Sequence, residues 1–291
     1  TLPTSAWLVP PFQPSVNEIE WVQDGRLGGA GFRDGAVPVI VHITDATSHA
    51  KGESAEGFRV YQYGASRPET LQALRGLGAR VVGVNSSGSF NADIVRAQLE
   101  EIAQFTGASV PPCAWGSDRP AECEERSCCT GPDGVGRSPD SDGQCPLVYE
   151  ISPTGQGLGA SSVAGIGALV EFSTFDLITR TRRDEDEFAL TGVDTRCFID
   201  QVRPVSVQTP DRDCVRIPTS LDLDGDGIPE GFSGVMPGST LVFEVQAVNR
   251  CVESDIRPRV YLTWIDIVEP RGSAVLDSRL VTILVPPSFK Q

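Results

Sequence analysis

Asp222, Asp224 and Asp226 stand at alternate positions of the stretch DLDGDGIPE (222–230), with glycines at 225 and 227 and a fourth carboxylate, Glu230, behind them. Carboxylates this close repel one another unless a cation or bulk water separates their charges. Oxygen-only ligand sets suit hard cations, and a calcium loop places its donors at positions 1, 3, 5, 7 and 9 with a glycine at 6. Counted from Asp222, the donors are Asp222, Asp224, Asp226, the Ile228 carbonyl and Glu230, and Gly227 falls at the sixth position. Position 12 holds Ser233 in place of the bidentate glutamate, and no helical periodicity flanks the stretch. The expectation is a rigid Ca²⁺ loop over 222–233 without flanking helices. A solvated acidic turn is the competing reading of the same residues.

The stretch resembles the DxDGDGxPD calcium loops of thrombospondin type 3 repeats and of secreted bacterial proteins. That resemblance implies a structural Ca²⁺ with an affinity suited to extracellular concentrations. Cysteine points to the same setting. Cys113, Cys123, Cys128, Cys129 and Cys145 lie in one Gly/Pro/Asp-rich stretch, followed by Cys197, Cys214 and Cys251. An even number of cysteines in loop-like sequence fits disulfides formed in an oxidising compartment. A zinc cluster is the rival, but there is no CxxC pair and His42 and His49 lie elsewhere in the chain. Five cysteines before 146 and three after it cannot all pair within their own groups. Full oxidation therefore requires at least one bond between the loop and the later region.

The chain has 291 residues, 40% of them hydrophobic, with 39 acidic and 24 basic side chains and a net charge of -15. Nucleic acids and anionic lipids are poor partners for that charge, since both bind basic faces. Divalent cations are better ones. No apolar run approaches the ~20 residues of a membrane helix. Thr1 is not a translational start and Met236 is the sole methionine, so a processed product or a fragment of a longer gene product is expected.

Several elements are positioned to carry these residues. VPVIVHITDA (37–46) and ARVVGVNSS (79–87) are apolar strands. SRPETLQALRGLG (66–78) has a serine cap and a glycine stop, and NADIVRAQLEEIAQFTG (91–107) is a helix with Ile94, Val95, Gln98, Leu99, Ile102 and Phe105 on one face. Alternating strands and helices predict a parallel sheet. PLVYEIS (146–152) is a further strand and GASSVAGIGALVEF (159–172) a helix with apolar Val163, Ile166, Leu169 and Val170. Beyond 173, β-rich segments at 173–183, 196–207, 239–249, 257–268 and 273–285 follow without a helix between them, which predicts an antiparallel sandwich. The expected organisation is an N-terminal extension (1–36) with a short helix around Trp21, an α/β domain (37–172) carrying a disulfide-rich insertion (111–146), and a β-sandwich (173–291).

VPVIVHITDA, LGARVVGVNSSG and LEEIAQFTG, in that order, resemble the second half of a von Willebrand factor A domain. There the aspartate matching Asp45 belongs to a metal-ion-dependent adhesion site, usually through a metal-bound water. The direct ligands of that site come from a first-strand D-x-S-x-S and a loop threonine; the chain contains no D-x-S-x-S. The resemblance therefore implies a Mg²⁺ site at Asp45 only if the missing upstream half is supplied, from a longer chain or a second polypeptide. His49 offers a ligand nitrogen or is a surface-loop histidine, and His42 alternates into the strand. An A-type domain followed by an Ig-like sandwich is similar to the arrangement of integrin β chains. It implies a secreted or cell-surface bacterial protein binding a protein or surface ligand, through an acidic group where the Mg²⁺ site is complete. The alternative is a non-catalytic structural subunit of an extracellular assembly. G-x-S-x-G, P-loop and HExxH motifs are absent, and GQGLGASSVAG (155–165) lacks the lysine of a phosphate loop, so it is read as a turn into a helix and no catalysis is expected.

Overall fold

The computed structural model describes residues 32, 36–51, 65–88, 91–117, 119–270 and 275–288. The expected helix around Trp21 and nearly all of the 1–36 extension lie outside these residues. The architecture combines a parallel α/β layer with antiparallel β-structure.

Strands β1 (Val39–Thr44) and β2 (Arg80–Asn85) run parallel, Val39 pairing with Arg80 and Thr44 with Asn85. Between them lies helix α1 (Arg67–Gly76), started by a reciprocal capping box in which Ser66 accepts from the Glu69 N–H and the Glu69 carboxylate accepts from the Ser66 N–H. Helix α2 (Ala92–Thr106) follows β2, ending at Gly107 with φ 71°. After the disulfide-rich insertion, strand β5 (Val148–Glu150) joins β2 in parallel, and helix α3 (Leu158–Phe172) returns across the sheet. The insertion is closed at its neck by β3 (Ser109–Val110) against β4 (Cys145–Pro146).

The period-two alternation of β2 assigns a helix to each face. A side chain at Gly83 would stand 2.9 Å from Leu99 Cβ, so glycine lets α2 settle on that face. The neighbouring Val82 points the other way, where a side chain at Gly165 of α3 would come within 2.7 Å of it. Two expected faces are corrected by this packing. On α2 the buried residues are Val95, Leu99, Ala103 and Thr106, and Ile94 is exposed. On α3 they are Gly165 and Leu169, while Val163, Ile166 and Val170 are exposed. The small residue sets the contact line on α3, and a pattern of large apolar residues cannot register it.

The later strands are all antiparallel. β6 (Phe175–Arg183), β8 (Thr219–Leu221), β9 (Gly231–Val235), β11 (Arg259–Val268) and β12 (Val275–Val285) form one sheet in the order β12-β11-β6-β9-β8. β7 (Ile199–Gln208) pairs with β10 (Thr240–Ala247) in a second. Leu177, Phe232 and Val235 of the first pack against Val207, Leu241 and Phe243 of the second. A helix does interrupt these strands, contrary to expectation: α4 (Glu185–Thr191) lies between β6 and β7, capped by Asp184, whose carboxylate accepts from the Glu187 N–H.

Among the described residues, two arginines and a disulfide link the parallel layer to the antiparallel strands. Arg80 donates to Glu269 at 2.7 Å and stacks over Phe175. Arg212 donates to the carbonyls of Glu171 and Pro237 and lies over Phe172. The disulfide is Cys113–Cys214.

Candidate metal centre

Strands β8 and β9 are consecutive partners, with Leu221 opposite Gly231, so the acidic stretch is the loop of a hairpin. The Glu230 N–H closes its neck by donating to the Leu221 carbonyl at 2.9 Å. Short polar side chains that accept from the backbone a few residues on favour such turns. The loop is built from them: Asp222 accepts from the N–H groups of Gly225 (2.7 Å) and Gly227 (2.9 Å), Asp224 from Asp226 (3.1 Å), and Asp226 from Ile228 (2.7 Å). Glu230 reaches back to accept from Leu223 at 2.8 Å. Gly225 and Gly227 have φ of 76° and 88°, a left-handed backbone that excludes most side chains although neither position is crowded.

These bonds turn the carboxylates inward. One oxygen from each of Asp222, Asp224, Asp226 and Glu230 lies within 4.8 Å of all the others. Two oxygens bound to one Ca²⁺ at 2.3–2.6 Å stand at most about 5.2 Å apart, so the cluster has the dimensions of a shared ion. A carboxylate oxygen has two lone pairs and can accept an N–H and face a cation together. None of the four carboxylates is paired with a lysine or arginine among the described residues. The cluster could hold a metal ion. Ile228 sits inside the same turn with its side chain exposed.

Position 231 is a supporting feature invisible to the acidic pattern. A side chain at Gly231 would stand 1.9 Å from the Leu177 carbonyl oxygen. Glycine there lets β9 lie against β6 as the chain leaves the loop. The constraint comes from a strand far away in sequence, so no local signal announces it.

Asp45 lies just past the end of β1 and is exposed; the preceding Thr44 Oγ1 binds the Ala46 backbone. Among the described residues, the only converging group of three or more His, Cys, Asp or Glu is the β8–β9 loop, and neither Asp45 nor His49 belongs to it. His42 is half-buried in β1, and burial pushes its pKa down.

The eight cysteines form Cys113–Cys214, Cys123–Cys129, Cys128–Cys145 and Cys197–Cys251, leaving none free. One bond leaves the insertion, as parity demands. Arg137 holds the insertion to the sheet, donating to Thr130 Oγ1 (2.8 Å) and to the Val148 carbonyl (2.7 Å) and pairing with Glu100 at 3.3 Å. Four disulfides fit an oxidising, extracellular environment. No helix among the described residues is long and apolar enough to cross a membrane.

Compared with known proteins, the chain matches no family model, no curated protein and no solved structure.

Proposed function

We propose that this is a non-catalytic ligand-binding protein of the extracellular space or bacterial cell surface that works with divalent cations. Residues 37–172 act as the C-terminal part of a von Willebrand A-like domain and 173–291 as an Ig-like sandwich. Ca²⁺ occupies the β8–β9 loop, held by Asp222, Asp224, Asp226, the Ile228 carbonyl and Glu230. The observation that carries this reading is the convergence of four carboxylates with no basic side chain among the described residues to neutralise them. Four disulfides support the extracellular setting. A Mg²⁺ at Asp45 belongs to the reading where strands from elsewhere supply the direct ligands.

A second reading, a structural subunit stiffened by Ca²⁺ and disulfides, is favoured by Asp45 standing outside any group of three or more metal-ligating side chains among the described residues. Adhesion separates the two. Chain immobilised on beads is tested for attachment to bacterial surfaces and to acidic peptides, in Ca²⁺ plus Mg²⁺ and in EDTA. The ligand-binding reading expects attachment that chelator abolishes and, where the upstream strands are supplied, expects Asp45→Ala to abolish its Mg²⁺-dependent part at unchanged thermal stability. Attachment equal in both buffers, or none in either, contradicts it.

A further inference from the structure

We propose that a cavity in the seam between the parallel layer and the antiparallel strands binds a small organic monocarboxylate with a compact apolar body. The cavity, about 370 Å³, is bounded by Phe172 at the end of α3, Thr174 at the foot of β6, the 214–216 segment that leads into β8, and Met236 just past β9. The Cys113–Cys214 disulfide forms part of its wall, so the two layers are held together there by a covalent bond. Clefts of about 300–1,000 Å³ where structural units meet commonly hold small ligands. The cavity is separate from the β8–β9 loop and does not depend on the cation reading.

Among the described residues lining it, Arg216 alone is charged, and it is exposed to water. Its backbone N–H donates to Met236 Sδ at 3.3 Å, and a Cβ at Gly234 would stand 3.5 Å from its Nε, which sets the side chain against β9 in ordinary contact. Elsewhere in this acid-rich chain arginines find carboxylates, as Arg80 does with Glu269, Arg182 with Asp266 and Arg259 with Asp255. The Arg216 guanidinium has no hydrogen-bond or ion-pair partner among the described residues. Asp211 and Asp213, near it in sequence, do not line the cavity. A guanidinium presents paired N–H donors at the spacing of the two oxygens of a carboxylate. Accessible and unpartnered in the lining of an apolar cavity, Arg216 is placed to receive that group.

The rest of the lining fixes the class of anion. Pro111, Phe172, Val215, Met236 and the disulfide supply apolar wall, with Gln144 and Thr174 as neutral polar groups. One cation offsets a single negative charge, whereas a phosphate dianion would keep the second unopposed in a chain of net charge -15. An amine would meet Arg216 with no acid in the lining to hold it. A volume of about 370 Å³ limits the body to roughly a single ring or a short branched chain.

Met236 is the only methionine of the chain, so isotopic labelling of methionine methyl groups gives a single NMR signal at the cavity wall. The full chain is titrated with benzoate and isovalerate, with benzamide, isovaleramide and inorganic phosphate as controls. At least one carboxylate is expected to shift that signal saturably, about tenfold or more tightly than its amide or phosphate. Arg216→Gln removes the charge from an exposed side chain, so its melting temperature should match the parent while affinity for the carboxylate falls about tenfold or more. Arg216→Lys keeps the charge without the fork and is expected to fall between the two. No saturable shift with either carboxylate overturns the proposal. So does an amide or phosphate that binds as tightly as the carboxylate, a comparison that needs no variant, and so does parent-like affinity in Arg216→Gln.

Discussion

Asp266 in β11 has no exposed surface, yet it is charged. Burial pushes its pKa up, but it accepts from Arg182 Nε at 2.9 Å and Ser278 Oγ at 2.7 Å, and these bonds leave it below the ordinary carboxyl value. A carboxyl lowered by folding contributes stability above its unfolded pKa, about 3.9, and that contribution is lost as pH falls through the lowered folded value. Asp266→Asn is therefore expected to cost about 1–3 kcal/mol in denaturant unfolding at neutral pH. The deficit should shrink on acidification below the ordinary carboxyl range; a deficit independent of pH would show that shape, not charge, matters at this position. Residues of this kind were not legible in the sequence. The aspartates of the acidic stretch announce themselves by local spacing, whereas Asp266 draws its partners from β6 and β12 and Gly231 its constraint from Leu177.

At the scale of elements, what could be read was whatever a local period records. β1, β2, α1 and α2 follow from apolar runs, a capping serine and a glycine stop, and the five long antiparallel strands from their β-branched composition. β8 and β9, at three and five residues, are too short to show a period. α4 was missed although DEDEFALTG (184–192) carries an aspartate cap and a terminal glycine. Cysteine parity required a bond out of the insertion but could not name it, because distance in space decides the partner. That bond, Cys113–Cys214, spans 101 residues. Closing a loop of that size in the unfolded chain is worth about 4.7 kcal/mol in the chain-entropy account. Replacing both cysteines by serine should lower unfolding free energy by up to roughly that amount. An unchanged midpoint would mean that the Arg80–Glu269 and Arg212 contacts hold the two sheets together unaided.

Across the whole molecule, a charge of -15 is spread over a fold with four cross-links, and among the described residues four carboxylates converge in a hairpin loop beside the edge strand β8. Calcium there would remove local repulsion and fix the β8–β9 hairpin against β6, joining the site to the stability of the antiparallel sheet. An ion that binds only the native state adds RT ln(1 + [L]/Kd), about 2.7 kcal/mol at a hundredfold excess over Kd. The most direct measurement is thermal unfolding in millimolar Ca²⁺ and in EGTA, for the parent chain and for Asp224→Ala. The account predicts a parent midpoint that falls in EGTA and recovers with added Ca²⁺, and an Asp224→Ala midpoint fixed at the lower value in both buffers. A parent midpoint unmoved by EGTA, with no heat of Ca²⁺ binding by calorimetry, would contradict it and leave 222–230 as a solvated acidic turn.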